Sequence, residues 1–283
     1  MFGTPENDFG TLPRSVGLET TNYRPIERRA VTAPEPSRVD LHVKVLDERV
    51  VARAKRRGLD ALVYAPHFTR LPEIERRAER FSDDDLLVVP AREVFTGHWQ
   101  TRRHVLALGL TDPIPDFISL EGLMNELRRE DATVLIPHPT FATVSLGAEE
   151  IERYRDLVGA VEVYNPKHFP HHNRRAREIA ADLDLPGYSS SYAHLRGTIG
   201  EAWTEFDREI ADEATLLDAI ASGEFRPVHR GGVAHEARCL AEFSHLFWEN
   251  SWKKLDRVFL SGTEPTHPEH VAYDGRFDEV SVY

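Results

Sequence analysis

The segment Val39-Asp40-Leu41-His42, read with Leu86-Leu87-Val88-Val89-Pro90-Ala91-Arg92-Glu93, decides how the chain is understood. In each, a short apolar run gives way to an imidazole or a carboxylate. The same happens where Ala61-Leu62-Val63-Tyr64 leads to His67 and where Thr133-Val134-Leu135-Ile136 leads to His138. It happens again where the run from Leu185 to Ser190 leads through Tyr192 to His194. His104 instead opens its own run, His104-Val105-Leu106-Ala107-Leu108. Helix-like stretches separate most of the runs. Parallel strands are therefore expected, with their exits converging on one face of a sheet or barrel.

Imidazole and carboxylate are the ordinary ligands of zinc, iron and manganese. A single histidine after one strand carries little meaning, and fourteen histidines in 283 residues place some at strand ends by chance. Recurrence after several strands is what points to a metal cluster.

Taken in order, residues 1–37 carry Gly, Pro, Thr and charges without periodicity and read as an N-terminal arm. Strands are expected over Arg38 to Val43, Ala61 to Ala65, Leu86 to Ala91, His104 to Leu110, Thr133 to Ile136, Gly159 to Tyr164 and Leu185 to Ser190. Helices are expected over Leu46 to Arg57, stopped by Gly58, and over Pro72 to Phe81. Further helices follow from Ser119 to Glu130, where Ser119 is a cap, and over Ala148 to Leu157, Pro170 to Asp182 and Asp212 to Ser222. The fourth run follows the third too closely for a crossover helix, so a regular eight-fold barrel is excluded. Seven strands in mostly alternating order favour a distorted α/β barrel spanning 38–222. No Gly-rich turn follows the first strand, which argues against a dinucleotide or P-loop fold. Residues 223–283 read as a C-terminal helix and tail, with a stripe of Ala237, Leu240, Ala241, Ser244, Phe247 and Trp248 expected to pack on the barrel.

Lys plus Arg total 35 against 47 Asp plus Glu, a net charge of -12. Lysine occurs only at 44, 55, 167, 253 and 254. Such an acidic, Lys-poor surface suits a halophilic cytoplasm and weighs against non-specific nucleic-acid binding. The single cysteine, Cys239, excludes an intrachain disulfide and fits a reducing, cytoplasmic setting; helix packing is its expected role. Neither a signal-peptide pattern nor an apolar run of roughly 18 residues is present, so no membrane span is expected.

These motifs together resemble the PHP (polymerase and histidinol phosphatase) family. Asp40-Leu41-His42 and Gly58-Leu59-Asp60-Ala61 running to His67 are similar to its opening. Glu93 resembles its Gly-x-Glu segment, and His104-Val105-Leu106-Ala107-Leu108-Gly109 its next motif. Pro137-His138-Pro139 and Glu162-Val163-Tyr164-Asn165 resemble later strand ends, and Ser191-Tyr192-Ala193-His194 a Ser-Asp-Ala-His motif. The resemblance covers about 38 to 222. It implies a distorted (β/α)7 barrel that binds two or three metals and hydrolyses phosphoesters. The carry-over is incomplete. His-x-His has become His42-Val43-Lys44, the loop that follows is missing, Thr-Asp-His has become Ala65-Pro66-His67, and Tyr192 stands for an aspartate.

By that resemblance, Glu93, His104 and His138 form one complete ligand set. His42 would join Glu93 at a second site, and His67 and His194 belong to a third. One or two zinc, manganese or iron ions are expected, with His42, Lys44, His67 and Tyr192 lining the catalytic space. Lys44 either lines the site, where it would neutralise Glu93 or meet a phosphate, or is a solvated lysine on the rim. Arg92, Arg102, Arg103, Lys167, Arg174 and Arg175 lie near strand exits, where a phosphate would come, although a solvated role is the simpler reading of each. His98, His168, His171 and His172 are candidates to replace lost ligands, and Trp99 and Phe141 to wall the pocket. The C-terminal histidines share no ligand spacing. Three functions stay open. One is a metal-dependent phosphoesterase acting on a small phosphorylated molecule. The others are an inactive binding or regulatory barrel and a single-metal hydrolase or lyase on another substrate.

Overall fold

Asp47 and Gly58 bracket the first helix. The Asp47 side chain accepts from the Val50 amide at 2.8 Å, and Gly58 sits at φ 72 and closes the last turn. A left-handed residue is where glycine is cheapest. In the computed structural model, which describes residues 36–98, 100–140, 144–248 and 265–283, this helix α1 spans Glu48–Arg57. It links strand β1 (Ser37–Val43) to β2 (Ala61–Tyr64), and these two pair in parallel. Helix α2 (Leu71–Phe81) then leads to β3 (Leu87–Thr96), parallel to β2.

The alternation breaks at β4 (Arg103–Leu108), which pairs antiparallel with both β3 and β5 (Thr133–Ile136). Strand β3 is longer than its apolar run. It continues to Thr96, so Glu93 lies within the strand opposite Leu106 and not beyond its end. Helix α3 (Leu120–Arg129), capped by Ser119 onto the Gly122 amide, precedes β5. Helix α4 (Ala148–Arg153), strand β6 (Val158–Tyr164), helix α5 (Pro170–Asp182) and strand β7 (Gly187–Ser189) continue the parallel part.

All seven expected strands are present, and two more follow. Strands β8 (Ala202–Phe206) and β9 (Phe225–His229) flank helix α6 (Glu213–Ser222). β8 runs antiparallel to β1, and β9 to β8, giving the order β7-β6-β5-β4-β3-β2-β1-β8-β9. The two ends of the sheet meet through hydroxyls and not through a continuous ladder. Ser189 Oγ donates to Trp203 O and accepts from the Val228 amide at 2.9 Å, and Thr204 Oγ1 accepts from the Ser189 amide at 3.1 Å. The architecture is a distorted (β/α) barrel with additional strands and helices.

Strand side chains alternate with period two. Val89 and Ala91 of β3, Leu106 and Leu108 of β4, and Leu135, Ala160 and Tyr188 form one apolar cluster inside the barrel, joined by Leu216, Ala219 and Ile220 of α6. Continuing the same faces, Val89–Ala91 leads to Glu93, and Leu108–Leu106 leads back to His104. The polar site is therefore the other end of the same interior. Outer layers under α1 and α2, and under α3 and α5, complete the core.

The last helix, α7 (Val233–Trp248), departs from expectation. Leu240 is 67% exposed, and Ala237, Ala241 and Ser244 are exposed as well. Its inward residue is His235, which is buried against Glu201 and Tyr164; Cys239 is half-buried beside it. The reason is polar: a buried carboxylate recruits the imidazole and the neighbouring Arg238, and this sets the helix rotation. After residue 265 the tail returns to the barrel. Val282 donates to Phe117 O, and Ser281 bridges Ile118. Of the arm expected over 1–37, residues 1–35 lie outside the described residues, as do the wall residues Trp99 and Phe141 and the side chains of Phe247 and Trp248; Ser37 already belongs to β1. Among the described residues no helix is long and apolar enough to cross a membrane.

Candidate metal centre

Glu93 is fully buried and stands at the middle of the polar end. Its Oε1 faces three imidazoles: His138 Nε2 at 3.2 Å, His104 Nδ1 at 3.3 Å and His42 Nε2 at 3.4 Å. Its Oε2 faces His67 Nε2 and the Lys44 ammonium. Glu93, His104 and His138 each bring a ligand atom within 4.8 Å of the others, the spacing of a three-ligand metal site.

Local structure fixes each group. His104 lies opposite Phe95 in the β3–β4 pair, and the two rings stack with centroids 3.9 Å apart and planes 1° from parallel. His138 follows β5 at φ 35, a left-handed conformation costly for a residue with a Cβ. Its amide donates to Glu162 Oε2 at 2.8 Å, and Glu162 is held in turn by Asn165 and Ser190. Tyr192, at φ 45, has the same unusual backbone. Such strain is found where surrounding contacts over-determine a site. Asp40 does not face the cluster. It accepts from the Ser191 amide at 2.9 Å, tying β1 to the segment that carries Tyr192 and His194, and burial pushes its pKa up to about 7.

The electrostatics suit a cation bound by these groups. Burial alone would raise the Glu93 pKa, but Lys44 and the surrounding imidazoles outweigh it and hold the carboxyl well below its usual range. Burial, together with neighbouring positive charge, lowers His67 to about 3 and His104 to about 4, so these rings are neutral. Neutral imidazole is the form that binds metal. Both ring nitrogens of His42 and of His104 are buried without a hydrogen-bond partner among the described residues. Buried polar atoms are normally satisfied, and a metal beside Oε1 would take the one nitrogen of each ring that faces it. The donor set of imidazoles and one carboxylate suits zinc, manganese or iron.

Lys167, expected near a strand exit and most simply solvated, is 2% exposed. Its ammonium reaches Tyr192 O and lies 2.5 Å from His194 Nδ1. It also lies 4.2 Å from the centre of the Tyr192 ring. Tyr192 in turn packs on His42, with ring centroids 4.6 Å apart, and on His138 at 5.1 Å. His67 and His194 approach to 5.5 Å. The structure thus brings His42, Lys44, His67, Glu93, His104, His138, Tyr192 and His194 into one cluster. The burial of Lys167 was not legible, because in sequence it sits in a polar stretch, Asn165-Pro166-Lys167-His168.

The other candidates divide. Arg92 turns away from the site, into a buried pair with Asp116 at 3.1 Å. Arg103 pairs with Glu150, Arg174 is exposed, and Arg175 pairs with Glu178. Arg102 is buried, its guanidinium 5.8 Å over the Phe95 ring; burial lowers its pKa, and Tyr192 and Glu93 lie within its electrostatic reach. Of the four histidines considered as substitutes, His168 comes nearest the cluster, its ring 6.1 Å from His138. His98 is exposed beside Tyr283, His171 is exposed and His172 half-buried.

Fold and cluster together define a distorted (β/α) barrel with a three-residue group, Glu93, His104 and His138, that could hold a metal ion. Residues 170–225 match the family described as PHP-associated, so the chain carries that domain from α5 to the start of β9. Among solved structures, PsfC from Pseudomonas syringae PB-5123 is similar with a TM-score of 0.56 and 18% identity, over 76% of this chain and 98% of that one. An amidohydrolase from Chromobacterium violaceum aligns with a TM-score of 0.45 and 15% identity, over 68% of this chain and 97% of that one. The likeness to PsfC is one of fold. No curated protein matches the sequence.

Proposed function

We propose that the protein is a metal-dependent hydrolase of a small phosphorylated substrate. The observation that carries the reading is the convergence of Glu93, His104 and His138, each fully or nearly fully buried, with ligand atoms within 4.8 Å of one another. A divalent ion held by these three would polarise a phosphoryl oxygen and acidify water. The chain's own residues supply the rest. Lys44, Arg102 and Lys167 surround the cluster with positive charge, which favours an anionic substrate. His194 Nδ1 accepts from the Lys167 ammonium, so the neutral ring keeps its proton on Nε2 and can donate it toward a substrate oxygen. His67, with 21% of its side chain exposed, marks the solvent side of the cluster, while Phe95 and Phe68 keep its inner side dry.

Assaying the metal-reconstituted protein against a panel of phosphomonoesters and phosphodiesters tests this. Turnover with zinc, manganese or iron that disappears in Glu93→Gln is expected. Absence of turnover with every metal, at low and high salt, would overturn it. A second reading, a binding protein on the same barrel, is favoured by one observation: Lys44 and Lys167 already engage Glu93 and His194 from within. It predicts ligand binding without turnover in the same assay.

A further inference from the structure

Glu93 divides its carboxylate between two environments. Oε1 faces His42, His104 and His138, and among the described residues no lysine or arginine pairs with it. Oε2 faces His67 Nε2, and here the chain supplies a cation itself. Lys44 Nζ binds Oε2 and also donates to Ala65 O at 2.6 Å. Where a carboxylate oxygen and a neutral imidazole nitrogen face each other, their lone pairs call for a proton or a positive ion between them. On the Oε1 side imidazoles alone meet the oxygen among the described residues, His138 Nε2 at 3.2 Å; on the Oε2 side an ammonium binds it as well. Lys44 is 4% exposed on its side chain and anchored by the Ala65 carbonyl, so its charge is fixed in place. A divalent ion between Oε2 and His67 would meet that like charge at close range.

We propose that Lys44 is a built-in cation that takes the place of a second metal ion, so that the centre holds one divalent ion. The inference rests on the reading that the Oε1 side binds metal, and it goes further in assigning the number of ions to a single residue. Removing the ammonium and supplying an imidazole at position 44 opens the Oε2 side to an ion held by Glu93, His67 and the new ring.

The test counts ions. Protein stripped with a chelator is dialysed against zinc or manganese, and metal per chain is measured by inductively coupled plasma mass spectrometry, with circular dichroism reporting the fold. One ion is expected for the wild type and two for Lys44→His. Lys44→Met is expected to keep one ion and to bind it about tenfold more tightly by calorimetric titration, since a like charge has gone. Two ions in the wild type, or one in a folded Lys44→His, overturns the inference and leaves the proposed metal site standing. If Lys44→His does not fold, unchanged or weaker affinity in Lys44→Met overturns it instead. No ion in any of the three proteins overturns both this inference and the proposed function.

Discussion

Ser145 Oγ lies 2.9 Å from Nδ1 of His138, while Nε2 of the same ring points to Glu93 Oε1 at 3.2 Å. With a metal bound through Nε2, the Nδ1 proton would be donated to this hydroxyl, which fixes the ring's orientation. Outer partners of this kind typically change metal affinity about 10–100-fold when removed. Ser145→Ala is expected to weaken metal binding by that order while leaving the melting temperature of the metal-free protein nearly unchanged. Calorimetric titration with zinc measures it; an unaltered affinity would show that the ring is oriented by other contacts.

Glu93→Gln keeps the shape of the side chain and removes its charge. The Lys44 ammonium would then be buried without its carboxylate, and the three imidazoles would lose their anionic partner. Metal content after reconstitution should fall by about a hundredfold or more in affinity. A Glu93→Gln protein that still binds metal with wild-type affinity would contradict the assigned ligands.

Arg92 and Asp116 are buried together, and Asp116 also accepts from the Phe95 amide at 2.8 Å. Arg92→Met leaves a buried carboxylate without its counter-charge, which costs about 3–5 kcal/mol. Urea denaturation should show this loss. Because Phe95 stacks on His104, metal affinity should also fall, whereas a solvated arginine would change neither.

Gly122 opens α3 against the returning tail. A Cβ built there would lie 2.7 Å from Val280 Cβ. Gly122→Ala is therefore expected to cost about 1–3 kcal/mol, read as a lower melting temperature. No change would mean that the tail can move aside freely.

Glu201 accepts from Arg57 at 2.8 Å and pairs with His235 at 3.0 Å and Arg238 at 2.7 Å. Burial alone would raise its pKa, but bonds from Arg238 and His235 and the charge of Arg57 hold it below 4.5. A carboxylate whose folded pKa is depressed stabilises the protein fully above its unfolded value. That stability is lost as pH falls through the folded value. Chemical denaturation from pH 7 down to 3 should show stability falling below about pH 4.5, with a shallower slope in Glu201→Gln. Equal slopes would remove Glu201 from the acid transition.

What the sequence determined by itself is what local chemistry can encode. Asp47, Gly58 and Ser119 announce helix ends because a cap acts within four residues of itself. The apolar runs before His42, His67 and His138 announce strands because both faces of these strands are buried, so the runs are nearly unbroken. Their recurrence was enough to read a barrel and a histidine cluster around Glu93. Tertiary structure alone decided the rest. Strands β8 and β9 exist because an exposed edge of the sheet is available to pair with, and Glu93 sits mid-strand because β4 folds back on β3. Arg92 turned inward because Asp116, distant in sequence, waits there; α7 rolled onto His235 because Glu201 does; Lys167 is buried because His194 accepts it. A buried charge goes where its partner is, and partners of that kind are brought together by the fold and not by neighbouring residues in the chain.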